Sequence, residues 1–382
     1  MISSRPGATP RTWREWRFGC LAAGFTAALC LSCSSPSSPS AEKTPENSKP
    51  SIAWFEQEDT VFYGIPSRVL FALPEGTLAE KADRLKSAVT EAYDLVDRRF
   101  NNFKDTSEIG AANAAAERTE LAVSPEFLDA LKVARDVYQR SGGAFDPTVQ
   151  PFKTLWNKAK ETQALPTEAE LAAAAARVGF DKTSLKQDVL PTLARPAGLS
   201  FDFGGLAKGY AVDLIVKSFK SAGVQNALVQ CGGEIRAWGH NKDGEPWGIG
   251  VQHPTRLEAI YGSMRLDGDW AFSTSGNYRQ PIRIGGQPYY HIFDPKTGRP
   301  ISTDILGVTV LLRGGEFANA TADAWATALA VIGAEKGVPL AEANGVDALY
   351  ILKSEADPEG MRPVMTRDFA ERFTQSAAPA AP

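Results

Sequence analysis

Three segments of the chain combine polar side chains and glycines at spacings that suit phosphate or metal chemistry. The first is the run DFGGLAKGY, from Asp202 to Tyr210. Its glycines allow a ligand to approach the backbone closely, and a helix that begins after them would present free N–H groups to a phosphate. Lys208 adds a positive charge in the first turn of that helix. Taken alone, the run equally fits a structural strand-to-helix turn, because it matches neither the phosphate-loop nor the full dinucleotide-binding pattern.

The second segment is ADAWAT, in which Asp323 and Thr327 are four residues apart. Residues at this spacing share one face of a helix. A carboxylate and a hydroxyl presented together are hard oxygen ligands, which suit Mg²⁺ or Ca²⁺. The alternative is an acid in a first helical turn, favoured there by the helix dipole, with a threonine packed behind it.

The third segment is YHIFDPKTG, where His291 stands at the end of an alternating strand and before a Pro-Lys-Thr-Gly turn. A histidine in this position either moves a proton or has a purely structural role. Two more segments have suitable side chains or backbone: the hydroxyl-rich Ser273–Arg279 could line a polar ligand, and the backbone of Ser141–Pro147 could lie against a flat ring.

The composition excludes several classes of protein. The 382 residues carry 41 Lys and Arg against 45 Asp and Glu, for a net charge of −4, which argues against a nucleic acid partner bound through a basic face. Four cysteines and three scattered histidines do not make a zinc or disulfide framework. We therefore expect any metal here to be bound by oxygen.

The elements that must position these residues are predicted from hydrophobic periodicity and capping signals. Helices are expected over Thr77–Phe100, from Ser124-Pro125 to Gly142, from the capping box Thr167/Glu170 to near Gly179, over Leu206–Ala222 and over Thr321–Ile332. Strands are expected over Val61–Leu73, Leu199–Phe203, several short runs between Asn226 and Ile292, Leu306–Leu312 and Ala348–Leu352. Strands grouped with strands, with helices inserted and flanking, predict an α+β fold with a largely antiparallel sheet in a single catalytic unit.

Both ends of the chain differ in composition from the middle. Arginines precede the apolar run Phe18–Leu31, which is short for a membrane span, so residues 1–32 are predicted to be a signal peptide. Leu31-Ser32-Cys33 resembles a bacterial lipobox, so we expect lipid on Cys33 and a Ser/Pro-rich tether over residues 33–52. A plain cleaved signal and a transmembrane anchor are the alternatives. The catalytic domain is predicted over residues 53–370 and a disordered tail over 371–382.

The order of the motifs is more specific than any one of them. GGAFDPTV, DFGGLAKGYAVD, CGGE, STSGNY, HIFDPKTG and ADAWATAL follow one another, and FKDTSEIGAAN precedes them. This series resembles the FAD:protein FMN transferases, the ApbE-type flavin transferases, over residues 55–355. Members often have Met-Gly-Thr near the first strand, where this chain has Tyr63-Gly64-Ile65.

The resemblance implies an enzyme with FAD as its substrate and a divalent metal, Mg²⁺ or another hard cation such as Ca²⁺. It would cleave the pyrophosphate, attach FMN through a phosphoester to a threonine of a target protein and release AMP. The acceptor would be a membrane subunit of a redox pump or an extracytoplasmic electron carrier. Many members are lipoproteins, which implies an exported, lipid-anchored protein of the bacterial cell envelope.

The resemblance also assigns residues. The metal would be held by Asp323, Thr327 and a backbone oxygen of Gly205. The flavin or adenine would lie against Phe103, Gly143, Ala144, Phe145, Asp202, Lys208 and Thr274. We predict His291 to accept the proton of the target hydroxyl, unless it only shapes the site, Lys208 to support the pyrophosphate oxygens, and Asp202 to fix either the flavin or Lys208.

Two other functions stay open at this point. A metal-dependent FAD pyrophosphatase would use the same site with water in place of the target hydroxyl. A flavin-binding lipoprotein without activity would not need the Asp323/Thr327 pair. A flavin oxidoreductase is disfavoured because the chain has no nicotinamide fingerprint.

Overall fold

The computed structural model describes residues 51–187, 191–256, 258–276, 282–357 and 360–376. The predicted signal peptide, Cys33 and nearly all of the tether lie outside the described residues, as do residues 277–279 of the hydroxyl-rich segment. The described residues form one compact unit.

The helices and strands of the described part are numbered in chain order. The helices are α1 (Ala79–Phe100), α2 (Glu108–Ala114), α3 (Pro125–Arg140), α4 (Gln150–Thr162), α5 (Glu168–Ala175), α6 (Ala207–Ser221), α7 (Ala318–Ile332), α8 (Ala334–Ala343) and α9 (Arg367–Arg372). The strands are β1 (Ile52–Val61), β2 (Ile65–Pro74), β3 (Glu120–Ala122), β4 (Ser184–Gln187), β5 (Pro191–Ala194), β6 (Ala227–Cys231), β7 (Glu234–Trp238), β8 (Trp247–Gln252), β9 (Ile260–Leu266), β10 (Trp270–Gly276), β11 (Ile282–Ile284), β12 (Gln287–Tyr289), β13 (Ile305–Arg313), β14 (Asp347–Lys353), β15 (Met361–Met365) and β16 (Thr374–Gln375).

A large antiparallel sheet organises the fold. Its eight strands follow the order β1-β2-β6-β7-β10-β13-β14-β15, and every neighbouring pair is antiparallel. Strands that are distant in sequence therefore become neighbours: β2 pairs with β6, and β10 lies between β7 and β13. This order brings the Cys231–Glu234 turn beside Thr274 of β10, where a side chain on Gly233 would lie 2.8 Å from the Thr274 carbonyl oxygen.

Both faces of the large sheet are covered, and alternate residues of each strand serve the two layers. Val69 and Phe71 of β2 pack into the core formed with α1, α3, α6 and α7. Leu70 points to the opposite face, where β8, β9 and α9 cover the sheet. Because β2 is buried on both faces, its sequence contains an almost continuous apolar run.

The structure confirms the predicted α+β class and most of the elements. Ser124 caps α3 by accepting the N–H of Phe127 at 3.1 Å, and the capping box of Thr167 and Glu170 is present at α5. These are local signals, since each cap satisfies backbone groups within its own first turn.

Three predicted details differ. Leu199–Phe203 is not a strand: Asn113 exchanges hydrogen bonds with the backbone of Phe201, and the N–H of Asp202 binds the carbonyl of Pro147 instead of a sheet neighbour. Helix α7 begins at Ala318, so Asp323 lies beyond its first turn and the dipole argument for it fails. Strand β12 ends at Tyr289, which leaves His291 in the following loop.

The ends of the folded part also differ in detail from the predicted boundaries. Strand β1 begins at Ile52, one residue before the predicted start of the domain. At the other end, α9 extends to Arg372 and β16 pairs with Gly262 and Ser263 of β9, so regular structure continues past residue 370. The ring of Phe373 lies close to Gly262, where a side chain would clash at 2.1 Å, and this packing explains the later end.

Residues 377–382 of the predicted tail are outside the described part. None of the described helices is long and apolar enough to span a bilayer.

Candidate active site

Close contact between α6 and α7 creates the centre of the site. A Cβ atom on Gly209 of α6 would lie 2.2 Å from the carbonyl oxygen of Asn319 in α7, so only glycine permits this approach. Asp213, also on α6, accepts the N–H groups of Asn319 at 3.1 Å and Ala320 at 2.8 Å. One helix therefore supplies the N-terminal cap of the other, which fixes their relative position.

This packing joins Lys208 of α6 to Asp323 of α7. The Lys208 ammonium donates to both carboxylate oxygens, at 3.1 and 3.0 Å, and the N–H of Gly209 lies 3.3 Å from the second. Burial disfavours the charge on Lys208, but Asp323 and Glu234 outweigh it and raise the pKa of Lys208 above its usual value. We call Gly205, Lys208, Glu234, Asp323 and Thr327 the floor cluster.

Glu234 is a member of the floor cluster to which the sequence analysis gave no role. It is the first residue of β7, it is completely buried, and its Oε1 lies 3.5 Å from Lys208 Nζ. Neither carboxylate oxygen has a hydrogen-bond partner among the described residues. Burial, followed by repulsion from Asp323, raises its pKa to about 8. In the sequence, Glu234 stands in the CGGE segment, one of the motifs on which the family resemblance rests. No local pattern connects this glutamate to Lys208.

Gly205 and Thr327 lie side by side. A Cβ atom on Gly205 would lie 2.9 Å from Thr327 Oγ1 and 3.1 Å from the Phe145 ring, so glycine at this position lets the backbone approach both side chains closely. Thr327 is four residues from Asp323 on α7, and both line the same cleft. The described residues contain no group of three or more His, Cys, Asp and Glu side chains suited to a metal. Backbone and hydroxyl oxygens would therefore have to complete any site around Asp323, and this donor set fits a hard divalent cation.

Asp202 joins the loop after α1 and helix α4 at the wall of the cleft. Its carboxylate accepts Lys153 Nζ at 2.9 Å, Asn102 Nδ2 at 2.7 Å and the N–H of Gly204 at 2.8 Å. Burial acts to raise the pKa of Asp202, but Lys153 and these donors outweigh it and lower the pKa below its usual value. Lys153 and Asn102 were not predicted, because they come from α4 and the loop after α1. Asp202 is bound to Lys153, whereas Lys208 is bound to Asp323.

Two exposed aromatic rings form the entrance, which we call the mouth of the cleft. Tyr63 and Phe103 meet edge to face with ring centroids 6.2 Å apart, and they are 70% and 75% exposed. Lys153 Nζ lies 5.3 Å from the centre of the Phe103 ring, and Lys104 Nζ lies 5.9 Å from that of Tyr63. Flat rings beside positive charges suit a ligand that has both an aromatic ring and phosphates.

His291 lies in the wall of the same cleft. Desolvation of the imidazole in the cleft, followed by repulsion from Lys153 and Lys208, lowers the pKa of His291 below its usual value. Asp202 opposes this change only in part. The imidazole is therefore neutral at pH 7, which is the form that accepts a proton.

The cleft contains nearly all the residues that the sequence assigned to the site. Its volume is about 2000 Å³, roughly twice the upper end of ordinary small-molecule pockets. The predicted residues that line it are Phe103, Ala144, Phe145, Asp202, Gly205, Lys208, Thr274, His291, Asp323 and Thr327. Thr274 contacts the hydroxyl of Thr309 at 3.0 Å. Gly143 is not among the lining residues: it follows α3 with φ +82°, and a side chain there would face the Tyr138 ring.

Fold and site together define an enzyme with a large cleft beside an antiparallel sheet, lined by charged, polar and aromatic residues. The ApbE family model matches residues 65–350, so the chain belongs to the ApbE family of enzymes. This confirms the family that the ordered motifs predicted.

Named relatives and solved structures agree with this assignment. The chain is 34% identical over 274 residues to the FAD:protein FMN transferase of Vibrio cholerae, covering 71% of this chain and 80% of the relative. It is 30% identical to the enzyme of the same name from Haemophilus influenzae, covering 74% and 82%. The flavin transferase ApbE of Vibrio cholerae superposes with a TM-score of 0.70 at 28% identity, over 84% of this chain and 100% of that one. The apo flavinyl transferase ApbE of Pseudomonas stutzeri gives 0.72 at 28% identity, over 87% and 100%.

Proposed function

We propose that this protein is a metal-dependent FAD:protein FMN transferase that attaches FMN to a threonine of an acceptor protein. The observation that carries the proposal is the floor cluster: Asp323, Thr327 and the backbone of Gly205, which approaches Thr327 closely, line a cleft that also holds Lys208 and His291. The names of the relatives support the reaction, and the oxygen donors of the floor cluster support the metal.

The reaction follows from the chemistry of these side chains. The threonine oxygen attacks the phosphorus of the FMN half of FAD, the bond to the bridging oxygen breaks, and AMP leaves with that oxygen. The hydroxyl proton passes to the neutral imidazole of His291, which acts as the base. A divalent cation held by Asp323, Thr327 and the Gly205 carbonyl would neutralise the negative charge on the pyrophosphate.

The other residues bind and orient. Lys208 lines the cleft and would stabilise the negative charge of the phosphate oxygens. The first N–H groups of α6 contribute less than the sequence predicted, because Ala207 already donates to the Phe203 carbonyl and Gly209 to Asp323. Asp202, through Lys153 and Asn102, holds the loop of Phe103 and helix α4 against each other, so that the aromatic mouth receives the flavin or adenine in one orientation.

The test is incubation of the full-length protein with FAD, Mg²⁺ and a pool of synthetic twelve-residue peptides that each contain one threonine. We expect AMP and peptides with an FMN-sized mass increase on the threonine. AMP and free FMN with no modified peptide would instead identify a pyrophosphatase. FAD binding without turnover with any divalent metal would leave a flavin-binding protein.

We also propose that the protein acts in the bacterial cell envelope, anchored by lipid on Cys33, on a membrane redox-pump subunit or an extracytoplasmic electron carrier. The support is the arginine-rich start, the apolar run and the Ser/Pro-rich segment after Cys33. The check is fractionation of cells that express the native chain or Cys33→Ala. The native chain should remain in the membrane fraction and carry an acylated cysteine, and the variant should be released. Equal release of both would contradict the anchor.

A further inference from the structure

Glu234 lies in the floor cluster in a position that folding alone does not explain. Its carboxyl group is completely buried, and neither oxygen accepts a hydrogen bond from any described residue. The hydroxyl of Ser273 nearby is also buried without a hydrogen-bond partner. A buried carboxyl group whose nearest charged neighbour is an ammonium at 3.5 Å is poorly compensated for the loss of water. Such a group in a native structure calls for an explanation.

The residue it acts on is Lys208. The ammonium lies 3.0 and 3.1 Å from the two oxygens of Asp323 and 3.5 Å from Glu234 Oε1. It therefore covers both oxygens of the carboxylate that the proposed metal site requires. A divalent cation and an ammonium cannot share that carboxylate closely, because two positive charges at such a distance repel each other strongly in a buried site.

We propose that Glu234 is a positioning residue that receives the Lys208 ammonium when a divalent cation binds Asp323. The inference rests on the proposed metal site. The ammonium carries three N–H donors, and a small movement of a flexible side chain is enough to change from one carboxylate to the other. With Glu234 as its partner, Lys208 stays beside the phosphate oxygens while Asp323 is released for the metal.

The position of Glu234 fits this role better than that of a further metal ligand. It begins β7 directly after the Gly232-Gly233 turn and approaches Lys208 from the sheet, whereas Asp323 and Thr327 approach from α7. Lys208 on α6 lies between the two carboxylates and is paired with each.

The experiment is a double-mutant cycle on metal affinity in the full-length protein without FAD, with Mn²⁺ as the probe and free Mn²⁺ measured by electron paramagnetic resonance. The variants are Glu234→Gln, Lys208→Met and the two combined. Glu245→Gln, which removes an exposed glutamate paired with Arg265 at the surface, is the matched control. Thermal melting curves check that each variant is folded.

We expect Glu234→Gln to weaken Mn²⁺ binding about tenfold, because Lys208 then stays on Asp323. Lys208→Met removes the competing ammonium, so in that background Glu234→Gln should change affinity less than about threefold. An equal loss in both backgrounds would show that Glu234 acts on the metal directly and would overturn the proposal. Unchanged affinity in Glu234→Gln would overturn it as well. If the native protein bound no Mn²⁺, or if Asp323→Asn bound it normally, the proposed metal site itself would be wrong.

Discussion

The floor cluster and the mouth of the same cleft are built in different ways. Four of the five floor residues come from a packed helix or strand: Lys208 from α6, Asp323 and Thr327 from α7, and Glu234 from β7. Gly205 lies in the turn directly before α6. The mouth consists of two exposed rings, Tyr63 and Phe103, on connecting segments. Buried elements hold atoms to within a fraction of an ångström, whereas exposed loops can adapt.

Backbone strain marks the mouth as a specialised region too. Phe62 and Tyr63 have φ angles of 46° and 64°, in the left-handed region that L-residues avoid at a cost of roughly 1–2 kcal/mol each. Phe62 is anchored edge to face against Tyr93, at 5.6 Å between ring centres, while Tyr63 points outward. The comparison suggests that the floor determines whether chemistry occurs and the mouth determines how tightly substrate binds.

Loss of the floor carboxylate should have the largest effect. Asp323→Ala removes the only carboxylate in the proposed metal-ligand set and should lower Mg²⁺-dependent AMP release from FAD by about 10³-fold, which corresponds to about 4 kcal/mol of transition-state stabilisation. Asp136→Ala, at an exposed acid paired with Arg140, is the control and should retain the native rate. A rate within threefold of native in Asp323→Ala would contradict the metal site.

His291 is the proposed base for the target hydroxyl, and its loss should rank second. We expect His291→Gln to lower FMN transfer about 10²-fold, since a general base typically contributes at least this much. In the native enzyme the rate should fall as pH decreases through a pKa below 6.5, because protonation removes the base and the pKa of His291 is lowered. That acid limb should be absent in the variant. An acid limb that persists unchanged in His291→Gln would assign it to another group.

A side chain at position 205, directly beside Thr327, should have an intermediate effect. Gly205→Ala places a methyl group 2.9 Å from Thr327 Oγ1, and we expect Mn²⁺ affinity and turnover to fall about tenfold. Gly315→Ala is a matched control, because a Cβ atom there would have no neighbour closer than 4.0 Å. Equal Mn²⁺ affinity and turnover in the two alanine variants would show that the close approach of Gly205 to Thr327 is not needed.

Substitutions at the mouth should have the smallest effect and should spare the chemistry. Phe103→Ala should weaken FAD binding about fivefold, or roughly 1 kcal/mol, through the loss of one stacking surface, and leave the maximal rate within twofold. FAD fluorescence titration gives the affinity. Leu78→Ala, at another exposed apolar residue, is the control. A large fall in maximal rate instead would remove the distinction between mouth and floor.

Local sequence signals predicted the elements that carry the site. The cap at Ser124, the capping box at Thr167 and the four-residue spacing of Asp323 and Thr327 each depend on residues within one helical turn, which a sequence displays directly. Leu199–Phe203 was predicted wrongly as a strand, because its β-type residues are buried by side-chain and loop contacts instead of by a sheet neighbour.

The sequence by itself determined the fold class, the family and ten of the residues that line the cleft. Only the tertiary structure decided which of these residues are partners. Lys208 pairs with Asp323 because Gly209 lets α6 and α7 touch, and Glu234 joins them because the sheet places β7 beneath that contact. Asp202 pairs with Lys153 from a separate helix. Contacts between residues 49 to 115 positions apart depend on how helices and strands pack, and local patterns carry no information about that packing.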